Sequence, residues 1–453
     1  MRQRRGVRSG KNSAARRTGR RAARQQVIEL FNSLLPPQWF ARWSVSPAQR
    51  WTPQKVVWVS FLMFWVSGDG TRERFLRARQ IVSRIHPRWK IPVSLGGFLE
   101  AQERVWGQIH QELIARLRPD PEWLDQWRVC GRLILAVDGS KFECPRTASN
   151  EATLSGEALK TPQLFQTTVL HVGTGLPWDF AVGTGLESER RQFDRLLQSL
   201  PEGTVVVADA GFISYALCRS LMGSGHSFVF RVAGNMRLVE GLSSSCTEIP
   251  QTTGCDLTCL WPKEESEEQP VLLRRITIGN QSGYPVVLVT NILDPGTLPD
   301  SEVMQIYRHR WELELYYRTF KQTWKFATLR SRTPETAYHE QRWRFVACWA
   351  LRRLAVGIRL NDGGEPKQVS QARLRRMIQL LLDDADADRD ALPFDEELAR
   401  QKLDTYIRTR PKSRRPWPRK SRHKEPKPPK LRQASAKEIL QAVQLGFYYT
   451  KPG

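Results

Sequence analysis

Two short apolar runs, each closing on an aspartate and then a glycine, constrain this chain more than any other feature in it. Leu133-Ile134-Leu135-Ala136-Val137 ends at Asp138-Gly139, and Thr204-Val205-Val206-Val207-Ala208 ends at Asp209-Ala210-Gly211. Runs this short, aliphatic throughout and bounded by glycine, read as strands buried on both faces. Such strands belong inside sheets covered by helices. Residues 164–172, 178–182 and 228–232 read as further strands, and 188–200 and 214–222 carry helical patterning. Three strands followed by alternating helix and strand predict a mixed α/β sheet.

The flanks have a different texture. Residues 27–127 are helically periodic and rich in Trp, including Trp39, Trp51, Trp58, Trp65 and Trp106, which read as helix-packing core rather than as base-stacking platforms. The most apolar run, 56–66, stops before Gly68-Asp69 and is too short to span a bilayer, so it predicts a buried helix. Residues 237–292 are rich in Ser, Thr, Gly and Pro, with strand-like runs at 271–278 and 286–291, and read as a β-rich insertion. Residues 300–326 pattern as one long helix, and 342–360, 365–384 and 395–408 as three more. Ser435 with Glu438 spells a capping box opening a short last helix. The expected layout is a basic arm at 1–26, a helical domain at 27–128, a catalytic α/β domain at 129–360 and a helical C-terminal region at 361–453 with a basic linker at about 408–433.

A formal charge of +24 and a pI near 10.2 argue for a polyanionic partner, most commonly nucleic acid. The excess is concentrated in 1–26 and in 408–432. Such tracts are solvated and extended, and they bind phosphates in that state. The cysteine count, seven, is odd and the spacing is scattered; Cys246, Cys255 and Cys259 have no His at zinc-ligand distance. This pattern excludes a disulfide scaffold or a zinc finger and suits reduced thiols in a cytosolic protein. No apolar signal core follows the basic start.

One Asp-Gly at a strand end is ordinarily a turn. Two of them on neighbouring strands bring carboxylates together, and their repulsion is relieved by a hard divalent cation. A third acid lies on the 300–326 helix, where Tyr307, Arg310, Glu314 and Lys321 step by three, four and seven residues and fall within an arc of roughly 60°. Arg318 and Lys325 share that stripe. Surface salt bridges, Arg310–Glu314–Arg318, are the bland explanation, worth a few tenths of a kcal/mol each. They leave the net positive charge of the stripe unexplained, whereas a carboxylate offered to a metal among cations offered to phosphates accounts for both.

With these residues in view, the chain resembles the insertion-sequence-4 type DDE transposases. Tyr307-x₂-Arg310-x₃-Glu314-x₆-Lys321 matches that family's signature, and Val137-Asp138-Gly139-Ser140 and Val207-Ala208-Asp209-Ala210-Gly211-Phe212 resemble its two aspartate motifs. The resemblance covers about 132–354 and implies a ribonuclease-H-like mixed sheet, with the β-rich insertion before the third acid, flanked by a helical N-terminal domain and a helical C-terminal region. It implies two Mg²⁺ or Mn²⁺ ions held by Asp138, Asp209 and Glu314, with Tyr307, Arg310, Arg318, Lys321 and Lys325 gripping DNA. The implied partners are the double-stranded terminal inverted repeats of a mobile element and its target DNA, bound by a homodimer in the cytoplasm at the nucleoid. The implied reaction is metal-dependent strand cleavage and strand transfer. A nuclease or resolvase without strand transfer, or a non-catalytic DNA-binding descendant, are the alternatives. The chain departs from members with a Trp on the strand before the third-acid helix: that position is Val286.

Overall fold

The structure is a computed structural model describing residues 21–43, 46, 49–155, 161–240, 242–244, 256–261, 269–279, 285–399 and 427–449. The basic tract before Arg21, most of the second basic tract, Cys246 and Cys255 lie outside the described residues. The chain forms two compact units, each discontinuous in sequence: residues 1–118, 142–164 and 318–411 make one, and 119–141, 165–317 and 412–453 the other.

The second unit is built on a ten-stranded mixed sheet. Its strands are β1 (Ile134–Glu143), β2 (Gln163–His171), β3 (Leu176–Thr184), β4 (Val205–Ala208), β5 (Ser227–Val232), β6 (Arg237–Glu240), β7 (Leu257–Leu260), β8 (Val271–Ile278), β9 (Val286–Thr290) and β10 (Lys430–Gln433). They lie in the order β10-β6-β7-β8-β9-β5-β4-β1-β2-β3. At the centre β1 pairs in parallel with β4, and β4 with β5. The aliphatic residues of these strands pack with Phe212, Leu217 and Leu221, the last two from the helix Tyr215–Gly223, into one buried core. The strands expected at 271–278 and 286–291 form, and they extend the same sheet: β9 runs antiparallel to β5, and β8 to β9.

Two expectations about this unit need correction. β1 does not stop at Asp138 but continues to Glu143, because it keeps its β2 neighbour after the shorter β4 has ended. The patterned stretch 188–200 is divided into a short helix, Glu189–Asp194, and a 3₁₀ turn, Leu197–Ser199.

The other unit is helical. The apolar run forms Pro53–Trp65, started by the Thr52 hydroxyl accepting from the Lys55 N–H and buried from Val56 to Trp65. It packs against the long helix Pro334–Asn361, to which the Trp65 indole donates at the Ala347 carbonyl over 2.8 Å. Trp51, Trp58, Trp65 and Trp106 are buried, and Trp58 stacks on Phe31 at 3.7 Å, so the tryptophans are core. The arm ends earlier than residue 26. Arg21–Ala22 pairs with Asp390–Ala391, and a helix begins at Ala23. Arg24 donates to Ala385 O over 3.0 Å, in the last turn of the helix Gln371–Asp386, where unpaired carbonyls favour a cation. In the sheet-bearing unit, the Ser435–Glu438 capping box forms and opens the helix Ala436–Gln444. Among the described residues no helix is long and apolar enough to cross a membrane.

The indole of Trp343 is fully buried on the long helix, its N–H 3.4 Å from Gln102 O. Trp343→Ala should destabilise the protein by about 3–5 kcal/mol, through lost burial and the cavity left behind, measurable as a lowered denaturant midpoint.

Candidate active site

Parallel pairing sets the first two acids side by side. The register runs Ile134↔Val205 to Val137↔Ala208, and an aspartate is the next residue on each side: Asp138 within β1, Asp209 just past the end of β4, on strands about 4.8 Å apart. Each aspartate is held by its own backbone: the Gly139 N–H donates to Asp138 Oδ1 and the Ala210 N–H to Asp209 Oδ1, both over 2.8 Å. Such local bonds fix a carboxylate before any ligand arrives.

The third acid comes from a broken helix. In place of one helix over 300–326 there are Asp300–Arg308, Trp311–Arg318 and a π-turn, Thr319–Thr323. The first break is tightened by i→i+3 bonds, Arg310 N–H to Tyr307 O and Leu313 N–H to Arg310 O. Tyr307, Arg310 and Glu314 still converge. The Tyr307 hydroxyl lies 3.5 Å from Asp209 Oδ1, the Arg310 guanidinium 5.7 Å from the Tyr307 ring centre, and Arg310 bridges to Glu314 over 2.8 Å. The bland salt bridge therefore exists, but inside the acid cluster rather than on open surface.

Tyr317, which sequence reasoning passed over, anchors this helix. Its buried hydroxyl sits 2.8 Å from the Thr168 hydroxyl, 2.9 Å from Gln166 O and 3.3 Å from Asp138 O, three residues on from Glu314. The helix that carries the third acid is thereby tied to the strands that carry the first. Glu189 was also passed over. It opens the short helix after β3, and its carboxylate lies against the glycines that follow both aspartates. Neither residue stands in a recognisable motif; what marks them is position, visible only once the sheet is assembled.

The electrostatics are those of crowded acids. Burial pushes the Asp138 carboxyl up to about 7; the Gly139 N–H and Arg310 oppose the rise, while Glu189 and Glu314 add to it. Burial, and then Asp209, raise Glu189. Burial, and then Asp209, raise the Tyr307 phenol. Burial pulls the Arg310 guanidinium down, yet Tyr307, Asp209 and Glu314 together hold it above its ordinary value. Arg310 is thus a counterion within the cluster, with Lys141 and Arg190 acting on Glu189 and Arg231 on Tyr307.

As the side chains stand, no three acidic, His or Cys groups among the described residues close to metal-ligand distance. The local bonds account for this: two aspartates face their own amides and Glu314 faces Arg310. The donor set nevertheless fits a hard divalent ion. It consists of several half-buried carboxylates, on or next to strands and on one anchored helix, that raise one another's proton affinity.

The remaining residues of the expected stripe belong to the helical unit. Lys321 lies 4.7 Å over the Phe142 ring; burial lowers its pKa, and Arg344 lowers it further against Glu143. Arg318 is exposed. Lys325 falls off the stripe, because the chain leaves the π-turn at Trp324 and Lys325 takes a left-handed backbone, φ 58°.

Residues 130–349 match the family described as Transposase DDE domain. The chain is 26% identical over 345 residues to transposase InsG for insertion sequence element IS4 of Escherichia coli (strain K12), covering 71% of this chain and 75% of that protein. A structure of piggyBac transposase in a synaptic complex with hairpin DNA aligns over 81% of this chain and 71% of that one, with a TM-score of 0.41 and 12% identity. That likeness is too distant to bear on the site.

Because the folded pKa of Asp138 lies above an ordinary carboxylate's, the fold binds this proton more tightly than the unfolded chain does. The associated stability is full at low pH and is lost as pH rises through about 7. In protein freed of divalent ions, the melting temperature should fall between about pH 4 and pH 7, and Asp138→Asn should flatten part of that fall. An identical pH slope in both proteins would place Asp138 outside the crowded cluster.

Proposed function

Because the chain belongs to the insertion-sequence-4 type of DDE transposases, we propose that it binds the terminal inverted repeats of a mobile element and carries out cut-and-paste transposition with Asp138, Asp209 and Glu314 as its catalytic acids. In this reading the centre of the sheet is ribonuclease-H-like and the three acids hold two Mg²⁺ or Mn²⁺ ions. When bound, the ions supply activation of a water or 3′-hydroxyl and stabilisation of the leaving oxygen at phosphorus. The observation that carries the proposal is that Asp138 and Asp209 directly follow the last registered pair of two parallel strands, with the Glu314 helix tied to β1 and β2 through Tyr317.

The protein's own groups have separable tasks. Asp138 is fixed by its strand and the Gly139 amide, and Asp209, just past its strand, by the Ala210 amide. Arg310 neutralises the cluster while it is empty of substrate, and its planar fork then offers two donors to a phosphate beside the cut. Tyr307 directs its hydroxyl to the same place. Arg318 and Lys321 add cationic contacts along the DNA backbone, and such contacts position the duplex without reading its sequence; Lys325, off the stripe, is not part of that row. The net charge of +24 suits DNA as partner and favours binding that weakens steeply with salt. A homodimer on paired ends, acting in the cytoplasm at the nucleoid, completes the reading.

Asp138→Asn, Asp209→Asn and Glu314→Gln should each reduce Mg²⁺-dependent cleavage of cognate ends by at least about three orders of magnitude while retaining end binding. Their effects should be far from additive, since the acids act as one unit. Cutting by Glu314→Gln at near the wild-type rate would remove Glu314 from the site.

Arg310→Lys keeps the charge and loses the fork. It should melt close to wild type, bind ends, and cleave roughly 100- to 1,000-fold more slowly in single-turnover assays. Normal cutting by both Arg310→Lys and Arg310→Ala would reduce this residue to a salt-bridge partner of Glu314.

A further inference from the structure

Glu189 is the acid that neither the family signature nor the spacing of motifs picks out. It is the first residue of the helix Glu189–Asp194, which starts where the Ser188 hydroxyl accepts from the Arg191 N–H over 3.2 Å. One turn on, the buried Gln192 locks this helix to β2. Its Oε1 accepts from the Thr167 N–H over 3.0 Å and its Nε2 donates to Phe165 O over 3.2 Å. The helix that carries Glu189 is therefore anchored to β2.

Its carboxylate occupies a specific place. A methyl group on Gly139 would lie 3.2 Å from Glu189 Cδ, and one on Gly211 would lie 3.5 Å from Glu189 Oε2. Gly139 directly follows Asp138, and Gly211 comes two residues after Asp209. Glu189 thus lies beside the residues that follow both aspartates, in space that at Gly139 only a glycine leaves open. A methyl on Gly139 would also come within 2.2 Å of the Phe165 ring, so the opening is closely bounded. The ordinary role of an acid at this position is to complement the helix dipole. A six-residue helix offers little dipole, and that role needs no approach to Gly139 and Gly211.

We propose that Glu189 is a fourth carboxylate of the metal site, bearing on the same cation as Asp138 and Asp209. The inference rests on the reading of Asp138, Asp209 and Glu314 as metal ligands. It adds a donor from the helix after β3, opposite in the chain to the helix that brings Glu314. Gly139 is then part of the site, because any side chain there crowds Glu189 as well as Phe165.

The test is Mn²⁺ binding by the full chain without DNA, followed by calorimetry and by the Mn²⁺ dependence of the melting temperature, in wild type, Glu189→Gln, Glu189→Asp and Asp209→Asn. Glu189→Gln should weaken Mn²⁺ binding by about tenfold or more, and its cleavage of DNA ends should need correspondingly more Mn²⁺. Glu189→Asp should weaken it less. If Asp209→Asn weakens binding while Glu189→Gln leaves the midpoint unchanged, Glu189 is not part of the site and the three-acid reading stands. If neither variant moves the midpoint, both readings fall. A purely structural Glu189 would lower the melting temperature equally at every Mn²⁺ concentration without moving the midpoint, which also overturns the proposal. Should Glu189→Gln not fold, an unchanged midpoint in Glu189→Asp decides against it.

Discussion

The parallel pairing of β1 with β4 is the interaction on which the rest of the site depends. It is a backbone ladder, four registered pairs long, between strands buried on both faces. Slipping it by one residue would move Asp138 out of line with Asp209 and turn the buried Val and Ala side chains to the wrong face. The apolar runs before the two aspartates are therefore more than scaffolding: their burial sets the register, and the register sets the distance between the acids. Everything else is attached to this pair. Tyr317 ties the third-acid helix to it from one side, and Gln192 ties the Glu189 helix to β2 from the other.

Crowding acids this way is costly, and the structure meets the cost locally. Asp138 and Asp209 each accept from the next amide, and Arg310 lies against Glu314. Asp138 and Glu189 nevertheless hold their protons above the ordinary carboxylate range, the strain that a divalent cation between carboxylates relieves. In the proposed function the same guanidinium serves twice, first as counterion to the acids and then as a fork for phosphate. A Lys could do the first and would do the second poorly.

The breaks in the helix around Glu314 show where local pattern gives way to tertiary demand. Over 300–326 the sequence contains no proline or glycine, so its propensity supports one continuous helix. The observed chain tightens at His309–Arg310, widens to a π-turn at Thr319–Thr323 and ends with Lys325 in the left-handed region. The reward is side-chain placement: Tyr317 reaches β1 and β2, and Tyr307 reaches Asp209. A 3.6-residue period carries Lys325 on to the stripe; the π-turn takes it off. Likewise the basic arm ended at Arg21 rather than Gln26, because Arg24 and Gln26 find carbonyls at Ala385 and Ala391, hundreds of residues away in sequence.

The sequence by itself determined the strands and their acids. Residues 133–137 and 204–208, short, aliphatic and bounded by glycine, read as buried strands. The Asp that follows each, and the Tyr-Arg-Glu spacing on a helix, were legible as a carboxylate cluster with cations, because side-chain chemistry and local period are written in consecutive residues. It also determined the tryptophan-rich core and the capping box at Ser435. Tertiary structure alone decided which strands are neighbours, and that the strands at 271–278 and 286–290 extend the same sheet. It alone decided that the helix Pro334–Asn361 packs on the N-terminal helix Pro53–Trp65. It alone placed Glu189 and Tyr317 beside the acids, since each reaches its position through contacts with residues distant in the chain. A side chain's chemistry is local, but the company it keeps is fixed by register and packing, which no stretch of sequence carries on its own.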